Sequence, residues 1–175
     1  TITSTTTAFS AAENQTAIPN ATFTASDVDA DDELTFSVSG DLLTIDANGV
    51  LSFLIEPDHE TSSSITATVT VTDAAGLTDT QDVTVTVTDV NEAPTITSTT
   101  TAFSAAENQT AIDEGTISAA DQDADDTFTF SVSGDVLTIN AETGILSFVT
   151  APDFETTTSV TATVTVTDAA GLTDT

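Results

Sequence analysis

Apolar side chains alternate with threonine and serine along much of this chain. In residues 64–73 (SITATVTVTD) and 82–89 (DVTVTVTD), every second position is Ile, Ala or Val. A period of two is typical of an antiparallel strand with one buried and one exposed face. Shorter runs of the same kind surround Phe36 and Phe53, and no stretch has a helical period over a useful length. The pattern predicts an all-β protein.

Turn residues separate the alternating runs. Gly40, Gly49 and Gly76 each stand between two of them, next to Asp, Asn or Ala. About seven short strands in about 94 residues, divided by such turns, are typical of an Ig-like β-sandwich.

The chain contains an internal repeat. Residues 1–18 recur letter for letter at 95–112, and residues 67–80 recur at 162–175. Such near-identity indicates part of a tandem array, in which each unit contacts mainly its neighbours. The predicted organisation is a first repeat over 1–90, a linker over 91–94 and a second repeat over 95–175.

The second copy stops at Thr175, the equivalent of Thr80. We therefore expect it to lack a counterpart of the valine-rich strand at 82–89, which would leave an open strand edge beside Val164 and Val166. Two explanations remain open. Either these residues belong to a longer array that supplies the strand, or a neighbouring molecule supplies it and builds a fibre.

Charge limits the partners. The chain has 29 Asp and Glu, no Lys or Arg and one His, which gives a net charge of −29. Nucleic acid and anionic membrane surfaces attract basic proteins, so both are excluded as electrostatic partners, and cations are favoured. The absence of Cys excludes disulfides and thiolate metal sites. No apolar run is long enough to predict insertion into a membrane.

The acids are concentrated where the predicted strands end, while the outward strand positions are mostly Thr and Ser. Clustered carboxylates at strand ends favour a hard cation, and Ca²⁺ accepts about 6–8 oxygen ligands. The acidic motifs of the first copy are AAEN (11–14), DVDADD (27–32), PDHE (57–60), TDAAG (72–76) and DVNEAP (89–94).

In their order and spacing, these motifs resemble those of cadherin repeats, and the resemblance covers the whole chain. It implies two tandem cadherin-like, Ig-like antiparallel β-sandwiches joined end to end, with calcium between successive repeats. The linker departs from the family pattern, since Glu92 stands where an Asp is usual and Ala93 where an Asn is usual. We therefore expect two or three calcium ions at the middle seam.

The resemblance also implies the ligands. At the middle seam they are Glu13, Asp58, Glu60, Asp89, Asn91, Glu92, Asp121, Asp123, Asp125 and Asp168. An upstream half-site would use Asp27, Asp29, Asp31 and Asp73, and a downstream half-site Glu107, Asp153 and Glu155.

Other interpretations of these residues are weaker. Adaptation to high salt does not require acids in ordered motifs. His59 is replaced by Phe154 in the second copy, which favours a packing or surface role and argues against a Ser/His/Asp triad. The Asp58 and Glu60 pair lacks the aromatic cleft of a glycosidase, and the chain has no Trp or Tyr. We expect no enzymatic activity.

The sequence thus predicts a calcium-rigidified structural and adhesive repeat of a bacterial surface or secreted protein, extracellular or at the cell surface. Its expected partners are neighbouring repeats. Two alternatives remain open. One is a fibre subunit assembled by strand exchange through self-association. The other is a carbohydrate-binding module of a polysaccharide-degrading enzyme, which would bind surface glycans.

Overall fold

A computed structural model describes residues 1–29, 32–124 and 126–175. The chain divides into two compact units, Thr1–Val90 and Asn91–Thr175, so the expected linker residues belong to the second unit. The described residues form strands, turns and loops without helices, which confirms the all-β prediction. Among them, no helix is long and apolar enough to cross a membrane.

The first unit is built from seven strands within its described residues. They are β1 (Ala8–Ala12), β2 (Ala17–Thr22), β3 (Thr35–Val38), β4 (Leu43–Ile45), β5 (Val50–Phe53), β6 (Ser64–Thr72) and β7 (Thr78–Thr88). One sheet has the order β1-β7-β6-β3, and the other has the order β2-β5-β4. The two most regular alternating runs of the sequence are β6 and β7, as predicted.

Strand β7 is the centre of the larger sheet. It pairs antiparallel with β6 over nine residue pairs, and parallel with β1 over five. The valines of β7 point into the core, where Val85 is fully buried. Side chains from both sheets, including Leu51 and Phe53 of β5, form a single apolar cluster. Because each fully buried aliphatic or aromatic side chain stabilises a fold by about 1.5–3 kcal/mol, this cluster holds the two sheets together as a sandwich.

The second unit repeats much of this pattern, with a shorter counterpart of β6. Its strands are β8 (Thr95–Ile96), β9 (Ala111–Thr116), β10 (Ala119–Ala120), β11 (Phe128–Val132), β12 (Leu137–Ile139), β13 (Ile145–Phe148), β14 (Val164–Asp168) and β15 (Thr173–Asp174). They form sheets of order β10-β8, β11-β14-β15 and β12-β13-β9. The buried core of this unit is smaller and centres on Ile117, Phe130, Leu146 and Val166.

Candidate metal sites

Glu13 directly follows β1 and is buried, with 2% of its surface exposed. The backbone N–H of His59 donates to Glu13 Oε2 at 2.7 Å, and the backbone N–H of Val90 donates to Glu13 Oε1 at 2.8 Å. One carboxylate therefore holds the loop after β5 and the segment after β7 together. Because the chain contains no Lys or Arg, backbone N–H groups take the place of a basic partner.

Two further acids approach Glu13. Oxygens of Glu13, Asp58 and Glu60 lie within 4.8 Å of one another. The backbone N–H and the hydroxyl of Thr61 both donate to the Asp58 carboxylate, at 3.2 Å and 2.8 Å. These bonds orient Asp58 towards the group. Carboxylates at this separation repel one another, and a cation shared between their oxygens would remove that repulsion.

Asp89 joins the same region through Glu60. Ligand atoms of His59, Glu60 and Asp89 also lie within 4.8 Å of one another. The imidazole Nδ1 of His59 donates to the carbonyl oxygen of Val87 at 2.8 Å. This hydrogen bond raises the pKa of His59 above its ordinary value, and the charges of the neighbouring carboxylates add to the rise against the opposing effect of burial. The structure therefore places the four middle-seam ligands predicted in the first unit, Glu13, Asp58, Glu60 and Asp89, in two overlapping groups.

In the second unit, Asn91 and Asp168 form a connected pair. The Asn91 amide donates to Asp168 Oδ2 at 2.7 Å, while the backbone N–H groups of Gly171 and Leu172 donate to Asp168 Oδ1 at 2.5 Å and 2.7 Å. Asp168 is 6% exposed. Burial alone would raise its pKa, but the hydrogen bonds from Asn91 and the backbone outweigh burial and hold the pKa below its ordinary value. Asp168 is therefore an ionised, fixed acid beside Asn91.

In Asp121 and in Asp123, one carboxylate oxygen accepts a backbone hydrogen bond, and the other has no hydrogen-bond donor among the described residues. The backbone N–H of Glu92 donates to Asp123 Oδ2 at 3.0 Å, and the backbone N–H of Asp123 donates to Asp121 Oδ1 at 3.2 Å. Within the described residues, Asp121 Oδ2 and Asp123 Oδ1 are buried and accept no hydrogen bond. Buried polar atoms are normally satisfied by protein groups or by water, so these two neighbouring carboxylate oxygens are candidate ligand atoms for a bound cation. Asp125, the other expected ligand here, lies outside the described residues.

The predicted upstream half-site is partly assembled. Oxygens of Asp27, Asp29 and Asp32 lie within 4.8 Å of one another. Asp73 belongs to none of the metal-ligand groups found among the described residues, and its Oδ1 accepts the backbone N–H of Leu77 at 2.8 Å. The remaining predicted ligand, Asp31, lies outside the described residues.

The predicted downstream half-site is assembled but open. Oxygens of Glu107, Asp153 and Glu155 lie within 4.8 Å of one another, and all three residues are exposed. The backbone N–H of Phe154 donates to Glu107 Oε2 at 3.2 Å, which reproduces the bond from His59 to Glu13 in the first unit. The two copies therefore build the same local arrangement at different degrees of burial.

Two further acids, Asp32 and Asp126, lie in these regions but were not predicted from the sequence. Asp32 joins the upstream group, and its equivalent Asp126 has a buried Oδ2 that accepts no hydrogen bond from the described residues. In both copies the backbone N–H of this acid donates to the carbonyl three residues earlier, on Asp29 at 3.1 Å and on Asp123 at 3.0 Å. Each repeat contains a pair of adjacent aspartates, at 31–32 and at 125–126. The presence of the second Asp of the pair in both repeats was the signal available in the sequence.

The chemistry of the donors fits calcium. Apart from His59, the ligand atoms in these groups are carboxylate oxygens, and the chain contains no thiolate. Sets of oxygen donors suit hard cations such as Ca²⁺, Mg²⁺ and Mn²⁺ more than Zn²⁺ or Cu⁺. The buried, unsatisfied oxygens of Asp121 and Asp123 are an independent sign that the residues present are arranged for a cation.

Comparison with known proteins agrees with the fold. Residues 1–86 match the family model described as bacterial Ig domain. Comparison of the sequence with curated proteins gives no match. The structure resembles mouse cadherin-23 EC22–24 with a TM-score of 0.63 and 20% identity, over 96% of this chain and 60% of that one.

Two protocadherin structures are also similar. The extracellular cadherin domains 3–6 of protocadherin gamma B2 match with a TM-score of 0.57 and 18% identity, over 99% of this chain and 49% of that one. The EC3–6 cis-dimer structure of protocadherin gammaB7 matches with a TM-score of 0.57 and 23% identity, over 81% of this chain and 39% of that one. The chain therefore spans less than two thirds of each of these structures. It is built from tandem β-sandwich domains of the cadherin-like, Ig-like type, the first of which matches the bacterial Ig domain family.

Proposed function

We propose that the chain is a calcium-dependent structural and adhesive repeat module, in which acids on both sides of residue 90 bind two or three Ca²⁺ ions and thereby order the joint between the repeats. Its cadherin-like, Ig-like fold is that of an adhesive or structural extracellular module. The proposal assigns the protein no catalytic role.

The observation that carries the proposal is the lack, within the described part of the chain, of a hydrogen-bond donor at one carboxylate oxygen of Asp121 and one of Asp123. Each presents a buried carboxylate oxygen that accepts no hydrogen bond from the described residues, in a chain without Lys or Arg. A buried anionic oxygen without a donor is costly, because it has lost its hydration and gained nothing in return. A bound divalent cation would compensate the charge of both oxygens at once.

The geometry also supports a role in ordering the chain near residue 90. Glu13 accepts the backbone N–H of Val90, whereas Asp123 accepts the backbone N–H of Glu92 and Asp168 accepts the amide of Asn91. Each residue of this short segment is thus held by a carboxylate that is also a candidate ligand. Neutralising these carboxylates would fix the segment, and leaving them charged would favour its release.

The proposal places the protein outside the cell. Extracellular calcium modules bind at about 10⁻⁴ to 10⁻³ M, a range in which the ion is bound outside cells and released inside them. The match of residues 1–86 to a bacterial Ig domain supports a bacterial surface or secreted protein. Neighbouring repeats of the same kind are the proposed partners, because repeat units bury surface mainly against one another.

Limited proteolysis tests the proposal, because flexible linkers are the preferred sites of cleavage. Trypsin has no site in this chain, so a protease that cleaves after glutamate is suitable. Millimolar Ca²⁺ should slow cleavage after Glu92 strongly, while cleavage after Glu142 should not change. Glu142 lies in an exposed turn outside all the acidic groups and serves as an internal control.

Two results decide the outcome. Loss of the protection at Glu92 in an Asp121→Asn, Asp123→Asn double variant would assign it to the proposed ligands. Cleavage at Glu92 that proceeds equally with Ca²⁺ and with EDTA would reject the ordering of the joint.

A further inference from the structure

The first unit has an open apolar groove between the turn before β4 and the loop after β5. Its volume is about 310 Å³. The lining includes Ile65 of β6, which is buried, together with Leu42 and Ile55, which are 50% and 70% exposed. This volume lies at the lower end of the range for binding pockets, about 300–1,000 Å³, so the groove suits one anchoring side chain of a larger partner.

Both sides of the groove are fixed by hydrogen bonds within the first unit. On one side, the backbone N–H of Leu54 donates to the carbonyl oxygen of Leu42 at 2.9 Å. On the other side, the backbone N–H and the hydroxyl of Thr61 both donate to the carboxylate of Asp58. A groove that is already formed loses little conformational entropy when a ligand binds.

The second copy lacks two side chains that line the groove. Thr150 stands in place of Ile55 there, and Ala151 stands in place of Glu56. The neighbouring strands are nevertheless the same, because β12 pairs with β13 in the register in which β4 pairs with β5. The sandwich therefore does not need an exposed isoleucine and an acid at these positions, which favours a role in binding.

The charge of the groove limits the partner that it fits. Glu56, which is exposed, and Asp58, which is half-buried, both line the groove. A second copy of this chain has no Lys or Arg to place against these acids. Nucleic acid and anionic membranes would be repelled. A basic polypeptide segment is the class of macromolecule whose charge is complementary to this surface.

We propose that the groove docks a basic segment of another protein, with one aliphatic side chain of that segment between Leu42 and Ile55. Lys or Arg side chains on either side of this anchor pair with Glu56 and Asp58. The buried anchor provides most of the affinity, since exposed ion pairs contribute little, and the charges orient the segment and speed its association. The inference does not rest on the calcium proposal, because Ile55 and Glu56 are not candidate ligands.

The test titrates the full chain in EDTA with the synthetic peptide SRKLKRS and follows binding by the NMR shifts of backbone amides. The peptide SRKSKRS keeps the charge without the anchor, and SEELEES keeps the anchor with the charge reversed. SRKLKRS should bind saturably and at least about tenfold more tightly than SRKSKRS, since one leucine side chain is buried. The largest shifts should occur at residues 42, 55 and 65, and SEELEES should not bind.

Two double variants locate the site. Ile55→Thr, Glu56→Ala gives the first unit the residues of the second copy and should weaken binding of SRKLKRS at least about tenfold. The matched control is Leu77→Thr, Glu33→Thr, which removes an aliphatic side chain that is 72% exposed and an exposed carboxylate, both outside the groove. It should bind like the wild type.

Four results would overturn the proposal. They are equal affinities for SRKLKRS and SRKSKRS, saturable binding of SEELEES, equal binding by the two double variants, and shifts confined to residues outside the groove. Shifts at residues 42 and 55 that grow with protein concentration in the absence of peptide would show that a second copy occupies the groove, and would overturn it as well.

Discussion

Calcium should raise the melting temperature of the protein, and the contribution of Asp121 and Asp123 can be isolated. An ion that binds only the folded state stabilises it by RT ln(1 + [Ca²⁺]/Kd). With a Kd of about 10⁻⁴ to 10⁻³ M and about 10 mM Ca²⁺, this amounts to about 1.4–2.7 kcal/mol for each ion. A domain of about 90 residues, the size of each unit, gains about 4–8 °C for each kcal/mol, so the expected rise is about 6–22 °C per ion.

The double variant Asp121→Asn, Asp123→Asn and the wild type should differ in melting temperature in a way that depends on calcium. In EDTA the double variant should melt at the same temperature as the wild type or higher, because two buried oxygens without donors no longer carry charge. In 10 mM Ca²⁺ it should melt lower, because two ligands are weakened. Each Asn retains an oxygen that can accept the backbone N–H now bound to the carboxylate, so both units should remain folded.

Differential scanning calorimetry with EDTA and with Ca²⁺ is the assay. The control is Asp41→Asn, Asp135→Asn, which removes the same charge from two exposed turns outside the acidic groups. It should keep the full calcium response. A wild-type melting temperature that does not change with Ca²⁺, or an equal response in both double variants, would refute the reasoning.

Two further predictions concern the fold. Gly49 has a φ of 77°, and a Cβ there would lie 2.2 Å from the carbonyl oxygen of Phe23, so Gly49→Ala should destabilise the first unit by about 2–4 kcal/mol in urea unfolding. Gly40→Ala, at a similar φ of 82° but with no atom within 4 Å, should cost only about 1–2 kcal/mol, and equal losses would exclude a steric cause. The backbone N–H groups of Ile2 and Thr80 donate to the Asp79 carboxylate and hold its pKa below the ordinary value of 3.8. The ionised Asp79 therefore stabilises the fold fully above pH 3.8, and this stabilisation is lost as the pH falls through the pKa of Asp79 in the folded state. Asp79→Asn should therefore make the acid side of the stability–pH curve less steep in EDTA, and an unchanged slope would contradict this.

The strands with the strongest alternation were predictable from the sequence. Strands β6 and β7 coincide with the valine and threonine runs, because a period of two fixes which face is buried. The parallel pairing of β1 with β7 was not predicted. The segment AFSAA is short and only weakly alternating, and it becomes a strand through its partner.

The two copies show this dependence on a partner directly. Residues 8–12 and 102–106 have the same sequence, yet only the first is a strand. Local sequence alone therefore cannot determine this element, since β structure depends on cross-strand contacts.

The candidate ligands were predictable as a set but not in their geometry. The resemblance to cadherin repeats named Glu13, Asp58 and Glu60, and the structure brings them together. It did not indicate that Glu13 is held by two backbone N–H groups, which depends on loops far apart in the sequence. Asp32 and Asp126 were not predicted, because the resemblance assigns the ligand to the first Asp of each adjacent pair, Asp31 or Asp125.

The central claim is that the acids bind calcium, and isothermal titration calorimetry tests it most directly. The full chain is titrated with Ca²⁺ and with Mg²⁺, beside the two double variants at 121/123 and 41/135. We expect saturable binding of at least two Ca²⁺ ions with Kd values of about 10⁻⁴ to 10⁻³ M, and much weaker binding of Mg²⁺, which demands tighter octahedral geometry. The 121/123 variant should lose at least one of these ions, while the 41/135 variant should retain all of them. Heats that never saturate, or equal affinities for the two cations, would contradict the account.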